Sequence, residues 1–310
     1  MTAQILPGNA DSIPAAVTVL RQGGLVAMPT ETVYGLAANA ADNSAVARIY
    51  AAKGRPQFNP LIAHVSSMDM ARREGVFHAN ARILAETFWP GPLTVVVEVA
   101  ATGSVSDLAR AGLDSIALRM PRHPVAGQLI EAFGGPVVAP SANPSGKISP
   151  TLPEHVLKDI GDEVDLILDG GACAVGVEST IIDARGDRPA LLRPGSLDTA
   201  EIENIWPGLI RPTLNPDAPQ SPGQLLRHYA PDAKLRLNAK APKTDEAYLG
   251  FGPVEATVNL SPTSDLTEAA ANLFAMLRDL DTRFERIAVA PIPTKGLGEA
   301  INDRLTRAAK

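Results

Sequence analysis

Short apolar runs recur from about residue 12 to residue 205, and this pattern constrains the fold more than any other feature of the sequence. Most runs end at a proline or at small polar residues, as buried strands do. They lie at residues 24–28, 61–65, 93–99, 115–120, 136–139, 166–169, 180–183 and 190–193. Amphipathic segments between them predict helices at residues 44–53, 79–88 and 125–133. Because strands and helices follow no strict alternation, we expect a mixed α+β sheet.

The composition changes after residue 206. Residues 207–233 are rich in proline and have almost no periodicity, which predicts an extended interdomain linker. Beyond it the sequence predicts strands at residues 234–238, 247–251, 257–260 and 287–291, and helices at residues 266–280 and 299–309. This order favours a small open α/β domain. We therefore predict a first domain of residues 1–206, a linker of residues 207–233 and a C-terminal domain of residues 234–310, as the length of 310 residues allows.

The net charge of −6 argues against a surface that binds nucleic acid along its whole length, because such surfaces are usually basic. A cationic site would then be local and would suit a small anion. Cys173 is the only cysteine, so neither an intramolecular disulfide nor a cysteine-rich metal site can form. The N-terminus lacks the pattern of a signal peptide, and no apolar stretch is long enough to span a bilayer. We expect a cytoplasmic protein that does not associate with membranes.

Several predicted strands are followed directly by polar or charged side chains, where ligand contacts are common. Lys53 and Arg55 flank a glycine at a helix end, and the pair suits phosphate as a point charge and a planar fork. The alternative is that both interact with the negative end of their own helix. His64 is expected on a strand with apolar neighbours, where a lone histidine is more often structural than catalytic.

Other segments leave similar alternatives open. Arg119, on an apolar strand, needs an anionic partner if it is buried, and either a substrate carboxylate or a structural Asp or Glu would serve. Residues 29–36 carry hydroxyls and a carboxylate, but a capped turn with Thr30 or Thr32 as a helix N-cap explains them as well. Residues 139–146 offer small polar side chains and amides for an anion. The P-loop, HExxH, GxGxxG and GxSxG motifs are absent.

Taken together, these segments resemble the YrdC-type threonylcarbamoyl-adenylate synthases. PTETVYGLAANA, KGRPQFNPLIAHV, WPGPLTVVV, SIALRMPRHP, APSANPSGKISPT, GVESTIID and LLRPG look like the motifs of that family, in the same order. The segment SPGQLLRHYAP and the small domain after it resemble the long, two-domain form of these enzymes. The resemblance implies a twisted, mixed-sheet YrdC-like catalytic domain with a small C-terminal Rossmann-like α/β domain.

The resemblance also implies a reaction. L-threonine and bicarbonate condense to N-carboxythreonine, whose carbamate oxygen attacks the α-phosphorus of ATP. Threonylcarbamoyl-adenylate forms, and pyrophosphate leaves with Mg²⁺, which is expected to be held through the ATP phosphates. A partner transferase complex then passes the threonylcarbamoyl group to tRNA, to make threonylcarbamoyladenosine. A weak contact with tRNA itself is a further expectation. Such a transfer depends on positioning and charge stabilisation more than on a covalent nucleophile.

The resemblance assigns roles to twelve residues, with Lys53 and Arg55 as the catalytic cations that neutralise the phosphates. The expected ATP contacts are Arg55, Asn59, Ser115, Ser141, Ser149, Arg193 and Tyr229. The expected threonine contacts are Thr32, His64, Arg119 and Ser179. The family often has threonine where this chain has Ser115, and the hydroxyl is kept. We further expect Tyr229 of the linker to fold over bound ATP as a lid, and we find no residue of 234–310 that looks catalytic.

Three alternatives remain at this stage. An RNA-binding module without catalysis could use the same fold, although the negative charge and scarce aromatic residues weigh against it. The related carbamoyltransferase of hydrogenase maturation carries zinc-binding and acylphosphatase-like modules, for which this chain has neither the cysteines nor the room. A paralogue of the same family with another substrate is the third.

Overall fold

The computed structural model describes residues 2–213, 219–223 and 227–310. Up to residue 206 the chain alternates short strands with helices. The strands are β1 (Gln4–Pro7), β2 (Val26–Met28), β3 (Gly35–Asn39), β4 (Ile62–His64), β5 (Gly75–Val76), β6 (Leu93–Val99), β7 (Ser115–Arg119), β8 (Val137–Val138), β9 (Leu166–Asp169), β10 (Thr180–Asp183) and β11 (Ala190–Arg193). The helices are α1 (Ile13–Arg21), α2 (Asn43–Lys53), α3 (Met68–Glu74), α4 (Ala79–Phe88), α5 (Asp107–Arg110), α6 (Pro124–Phe133), α7 (Pro153–Ile160) and α8 (Thr199–Ile205).

All these strands join one mixed sheet in the order β1-β9-β2-β3-β8-β4-β7-β6-β10-β11, with β5 paired to β6. The sheet contains both parallel pairs, such as β4 with β7, and antiparallel pairs, such as β7 with β6. The mixed sheet that the sequence predicted is therefore confirmed. In the β4–β7 register, His64 lies opposite Arg119, so two predicted site residues stand side by side at the ends of neighbouring strands.

The C-terminal domain has a second sheet of four parallel strands in the order β12-β15-β13-β14. Its elements are β12 (Lys234–Arg236), β13 (Ala247–Gly250), β14 (Val258–Asn259), α9 (Leu266–Arg283), β15 (Arg286–Val289) and α10 (Leu297–Ala308). Helix α9 begins at Asp265, whose carboxylate accepts hydrogen bonds from the amides of Thr267 and Glu268. This parallel α/β arrangement agrees with the Rossmann-like domain expected from the sequence. No helix in the described ranges is both long and apolar enough to cross a bilayer.

The two domains share apolar contacts. The core of the C-terminal domain includes Val33, Ile148 and Val177 of the large domain, together with Tyr229 of the linker. At Gly176, which has a φ of +78°, a Cβ atom would lie 2.3 Å from the carbonyl oxygen of Ala270 in α9. Only a glycine allows the loop before β10 to approach α9 so closely.

One sequence interpretation proves wrong, and several elements escaped prediction. Thr30 and Thr32 cap no helix, since they lie in the loop that joins the antiparallel strands β2 and β3. The Thr30 hydroxyl accepts hydrogen bonds from the amides of Thr32 and Val33 and so forms a side-chain turn. Strand β3 escaped prediction because its glycine, alanines and terminal asparagine give neither a run of large apolar residues nor an alternating pattern. Of the predicted linker, residues 214–218 and 224–226 lie outside the described residues.

Candidate active site

One cavity on a face of the large sheet collects most of the predicted site residues. Its walls come from β4, β7 and β11, from the loops before β3, after β8 and before β10, and from the linker. The lining residues are Val33, Arg55, Ile62, His64, Arg119, Ala139, Pro140, Ser141, Glu178, Ser179, Arg193, Pro222, Gly223, His228 and Tyr229. Seven of the twelve predicted residues are among them, although they come from widely separated segments.

Three buried arginines of the cavity are each held by two of their nitrogens. Arg55 donates from Nε and Nη2 to the carbonyls of Asn59 and Pro60, at 3.2 and 2.9 Å. Arg193 donates from Nε and Nη2 to the carbonyl of Ser179, at 3.2 and 2.9 Å. Within the described residues the Nη1 group of Arg55 makes no hydrogen bond, and that of Arg193 makes only a 3.5 Å contact to Pro222. Each guanidinium is thus fixed in place with donor capacity to spare.

Burial and neighbouring positive charges disfavour the charged forms of Arg55 and Arg193. Burial lowers the pKa of Arg55 to about 10, and the charge of Arg193 acts in the same direction. Burial also lowers the pKa of Arg193, helped by Arg304 and Arg119. A polyanion in the cavity would relieve both effects, because an opposite charge favours the charged form of each arginine. The electrostatics therefore suit a phosphate-bearing ligand.

Lys53 is fully enclosed and does not line the cavity. Its ammonium donates to the backbone carbonyl of Ser141 at 2.5 Å and to that of Asn143. Burial, and then the charge of Arg55, lower the pKa of Lys53 well below its ordinary value. In this structure the lysine fixes the loop after β8, and Ser141 of that loop faces the cavity. A direct contact of Lys53 with phosphate stays a prediction.

The residues predicted for threonine surround Arg119. Arg119 donates from Nη2 to Glu31 at 2.8 Å and to the Thr32 hydroxyl at 3.0 Å, so its anionic partner within the described chain is a structural carboxylate. Its Nη1 makes no hydrogen bond there and is free for a substrate carboxylate. His64 lies opposite Arg119, and burial and then the Arg119 charge lower its pKa to about 3. A neutral imidazole can accept or donate a hydrogen bond but adds no charge to the site.

The other predicted residues support the walls or lie apart from them. Ser179 shares a hydrogen bond with Thr94 at 2.8 Å, which fixes its hydroxyl at the cavity. Ser149 lies behind the lining and donates to Glu178. Asn59 is fully buried, and its side-chain oxygen and nitrogen have no hydrogen-bond partner among the described residues. Buried polar groups are usually hydrogen-bonded, so a ligand could complete this one. Ser115 stands at the opposite end of β7 from Arg119, so it does not join the lining.

Tyr229 closes the cavity from the linker side. It is fully buried and adopts a left-handed backbone conformation with a φ of 63°. Its ring stacks on Phe274 with centroids 5.6 Å apart, and its hydroxyl has no hydrogen-bond partner among the described residues. Pro222 and Gly223 complete this side, where Gly223 packs directly against the Arg193 side chain. Both the lid and the contact with ATP stay predictions.

Sequence reasoning missed two cavity residues and one residue behind them. Glu178 and His228 line the cavity, and Arg304 of α10 lies behind Glu178, with 2.8 Å between Nε and the carboxylate. Burial alone would raise the pKa of Glu178, but Arg304, Arg193 and the Ser149 hydrogen bond hold it at about 2. Arg304 falls on the apolar stripe of α10 among Ile301 and Leu305. An arginine on a buried stripe needs an anionic partner, and this was the signal available in the sequence.

The described residues bear on Mg²⁺ in one respect. They contain no group of three His, Cys, Asp or Glu side chains placed to hold a metal ion. Glu178, the carboxylate of the lining, is already engaged by Arg304 and Ser149. That Mg²⁺ is held through the ATP phosphates stays a prediction.

Comparison with known proteins assigns both parts of the chain. A family model for Sua5, YciO and YrdC proteins, described as telomere recombination, matches residues 18–195. A second model, described as the C-terminal domain of threonylcarbamoyl-AMP synthase, matches residues 197–310.

Individual relatives match over nearly the full length. The threonylcarbamoyl-AMP synthase of Pyrococcus abyssi is 40% identical over an alignment of 322 positions, gaps included, which covers 96% of this chain and 94% of that protein. The synthase of Bacillus subtilis is 38% identical, with 98% and 94% covered. The crystal structure of P. abyssi Sua5 with L-threonine is similar at a TM-score of 0.89 and 38% identity, and covers 99% of this chain and 97% of that one.

Proposed function

The chain belongs to the Sua5–YciO–YrdC family, and we infer that it is a threonylcarbamoyl-AMP synthase. It makes L-threonylcarbamoyl-adenylate from L-threonine, bicarbonate and ATP, for the threonylcarbamoyladenosine modification of tRNA. The observation that carries this function is the similarity to such synthases along almost the whole of both chains. The cavity supplies the matching chemistry, because buried cations and hydroxyls converge on it.

We propose that Arg119 binds the carboxylate of L-threonine through its free Nη1, with Thr32, His64 and Ser179 around the rest of the amino acid. The P. abyssi relative was crystallised with L-threonine, which supports this choice of ligand. The threonine amine attacks bicarbonate, water leaves, and N-carboxythreonine results. The neutral His64 adds no second positive charge, so Arg119, which also pairs with Glu31, is the cation that meets the threonine carboxylate.

The carbamate oxygen then attacks the α-phosphorus of ATP, and pyrophosphate is the leaving group. Arg55 and Arg193 would stabilise the phosphate charges, with Ser141 and Asn59 as further contacts and Lys53 holding the Ser141 loop. Mg²⁺ accompanies the ATP phosphates and neutralises part of the charge on the leaving group. A rigid set of donors needs little reorganisation during this step, because the arginines are already fixed.

The activity is tested by measuring pyrophosphate release from ATP with L-threonine and bicarbonate omitted in turn. We expect release only when both are present. Serine lacks one methyl group of threonine, which in an apolar pocket is worth about 1–3 kcal/mol, so it should react poorly. Equal release without threonine would disprove the assignment. Salt-sensitive RNA binding without ATP consumption would instead favour the non-catalytic RNA-binding module.

The product is a mixed anhydride, and a separate transferase must pass its threonylcarbamoyl group to tRNA. We place this reaction in the cytoplasm, where tRNA is modified, and expect at most a weak direct contact with tRNA because the net charge is −6.

A further inference from the structure

Two arginines of the C-terminal domain donate hydrogen bonds to the large domain. From α9, Arg278 donates to both oxygens of Asp159, at 3.0 and 2.6 Å, and to the carbonyls of Ile148 and Ser149. From α10, Arg304 donates from Nε to Glu178 at 2.8 Å and from Nη1 to the Pro194 carbonyl at 2.8 Å. Only the second contact ends on a residue of the cavity lining.

Arg304 also supports the linker. Its guanidinium carbon lies 5.1 Å from the centre of the Tyr229 ring, within the range of a cation–π interaction. Phe274 stacks on the same ring, and His228 meets it edge-on with centroids 4.0 Å apart. One side chain of the C-terminal domain therefore touches both a wall residue and the residue that closes the cavity.

The burial of Arg304 makes this arrangement demanding. Its side chain has no exposed surface, and in the part of the chain that the structure describes its Nη2 group has no hydrogen-bond partner. A guanidinium so deeply enclosed is costly unless charge and hydrogen bonds compensate, and Glu178 with Asp303 provides them. A role in packing alone would be filled by an apolar side chain of similar length at lower cost.

We propose that Arg304 is a positioning residue for synthesis of the adenylate, which orients Glu178 and seats Tyr229 over the nucleotide. The inference rests on the function proposed above and adds to it a residue of the C-terminal domain. Ser149, predicted to contact ATP, donates to the second oxygen of Glu178, so the orientation of the carboxylate is passed on to a nucleotide contact. Among the described residues, the hydrogen bonds of Arg304 go to Glu178, the Pro194 carbonyl and Asp303 and to none of Thr32, His64, Arg119 and Ser179, so we place its effect on the nucleotide side of the reaction.

The test compares Arg304→Met, Arg304→Lys and the double variant Glu178→Gln/Arg304→Met in pyrophosphate release, with KM for ATP and for threonine measured separately. We expect Arg304→Met to raise KM for ATP and to lower kcat/KM by up to about 100-fold, as misplaced groups do, with KM for threonine unchanged. Arg304→Lys keeps the charge but loses the fork, and should fall between Arg304→Met and the parent. The double variant should regain thermal stability, because no carboxylate is stranded, and yet keep the raised KM for ATP.

Two controls separate positioning from general weakening. Leu277→Ala loosens the hydrophobic core that Tyr229 also joins but leaves the contacts of Arg304 in place, and should lower stability with both KM values unchanged. Arg283→Met removes an arginine of an exposed ion pair on α9 and should change neither the stability nor the KM values for ATP and threonine. If Arg304→Met leaves KM for ATP unchanged, or raises both KM values alike, the proposal is wrong. If Arg304→Met does not fold, the double variant is compared with Glu178→Gln, and equal KM values for ATP contradict the proposal.

A readout without turnover makes the outcome independent of the proposed function. Hydrogen exchange of residues 227–233 in the full-length protein should be faster in Arg304→Met than in the parent and in Leu277→Ala. An unchanged exchange rate of residues 227–233 in Arg304→Met would show that Arg304 does not hold Tyr229 in place. Failure of the parent protein to release pyrophosphate would count against the synthase function, while the exchange result would still decide the role of Arg304.

Discussion

The arginines of the cavity differ in what holds them, and this difference governs what each substitution does. Arg55 donates only to backbone carbonyls, so its removal strands no charge. Arg119 is paired with Glu31, which is itself 7% exposed, so its removal leaves a buried carboxylate without its cation. Sequence reasoning had left open whether a substrate or a structural carboxylate faces Arg119. The structure shows Glu31, because two segments far apart in sequence meet at the end of β7.

Substituting these two arginines should therefore separate binding from stability. Arg55→Ala should lower kcat/KM for ATP, and Arg119→Ala should lower kcat/KM for threonine. Each loss should correspond to about 2–5 kcal/mol of transition-state stabilisation, as expected for a desolvated ion pair. Arg119→Ala should also lower the free energy of unfolding by about 3–5 kcal/mol, whereas Arg55→Ala should lower it less. Steady-state kinetics and urea unfolding measure both. Glu31→Gln/Arg119→Ala is the control, since it should regain stability but not threonine use. Unchanged kinetics in both single variants would contradict the site assignment.

At the scale of elements, the sequence predicted strands better than the loops that carry the chemistry. Apolar runs such as residues 93–99 and 180–183 match β6 and β10 at both ends, because burial on both faces leaves a continuous apolar signal. Loop geometry depends on distant partners. The loop after β8 is held by Lys53 of α2, and the loop before β10 is pressed against α9 at Gly176. No local pattern reveals such contacts, so the functional loops could be located but not shaped.

The linker tyrosine can be tested by removing its hydroxyl and its ring in turn. The Tyr229 hydroxyl has no partner in this structure, so Tyr229→Phe should leave the free energy of unfolding almost unchanged. If that hydroxyl contacts ATP, KM for ATP should still rise. Tyr229→Ala removes the ring between Phe274 and Arg304 and should cost about 3–5 kcal/mol of stability. An unchanged KM for ATP in Tyr229→Phe would show that the hydroxyl makes no nucleotide contact.

Tyr248→Phe provides the matched control for this pair. The Tyr248 hydroxyl donates to the Ala239 carbonyl at 2.9 Å inside the C-terminal domain, away from the cavity. Its loss should lower stability by about 1 kcal/mol and leave KM for ATP unchanged. Hydrogen exchange of residues 227–233 should also slow in the parent protein when ATP and threonine are added together. No change in exchange would make the described part of the linker a passive tether.

At the scale of the whole molecule, the two domains form one structural unit around the cavity. Val33, Ile148 and Val177 extend the core of the C-terminal domain into the large domain, and each neighbours a residue of the site. The sequence predicts a domain boundary after residue 206 and no catalytic residue in the C-terminal domain. It could not foresee the docking, because an apolar residue in a loop looks the same whether it faces its own domain or another. Arg304 was the one clue, as a charge on an otherwise apolar helix stripe.

The buried histidines give the whole molecule a stability that depends on pH. Burial lowers the pKa of His64 and of His228 to about 3 and that of His155 to about 4, against about 6.5 in an unfolded chain. Below pH 6.5 the unfolded chain takes up protons that the folded protein does not, so stability is lost as the pH falls. The lowered pKa of Glu178, about 2, also makes stability fall as the pH drops below about 4.5, because the unfolded chain then binds a proton that the folded carboxylate beside Arg304 does not.

We therefore expect the free energy of unfolding in urea to be nearly constant from pH 8 to 7 and to fall by roughly 1 kcal/mol per histidine for each pH unit below about 6. His155→Asn removes one of the four histidines whose pKa burial lowers, the others being His64, His123 and His228, and should reduce this slope by about a quarter. Asparagine can still accept the hydrogen bond that the Thr151 amide donates to His155. His78→Gln, which replaces a side chain that is 62% exposed, is the control and should leave the slope as it is. A flat profile between pH 7 and pH 5 would mean that the histidines bind protons equally in both states, and that the burial of His64 and His228 does not persist in solution.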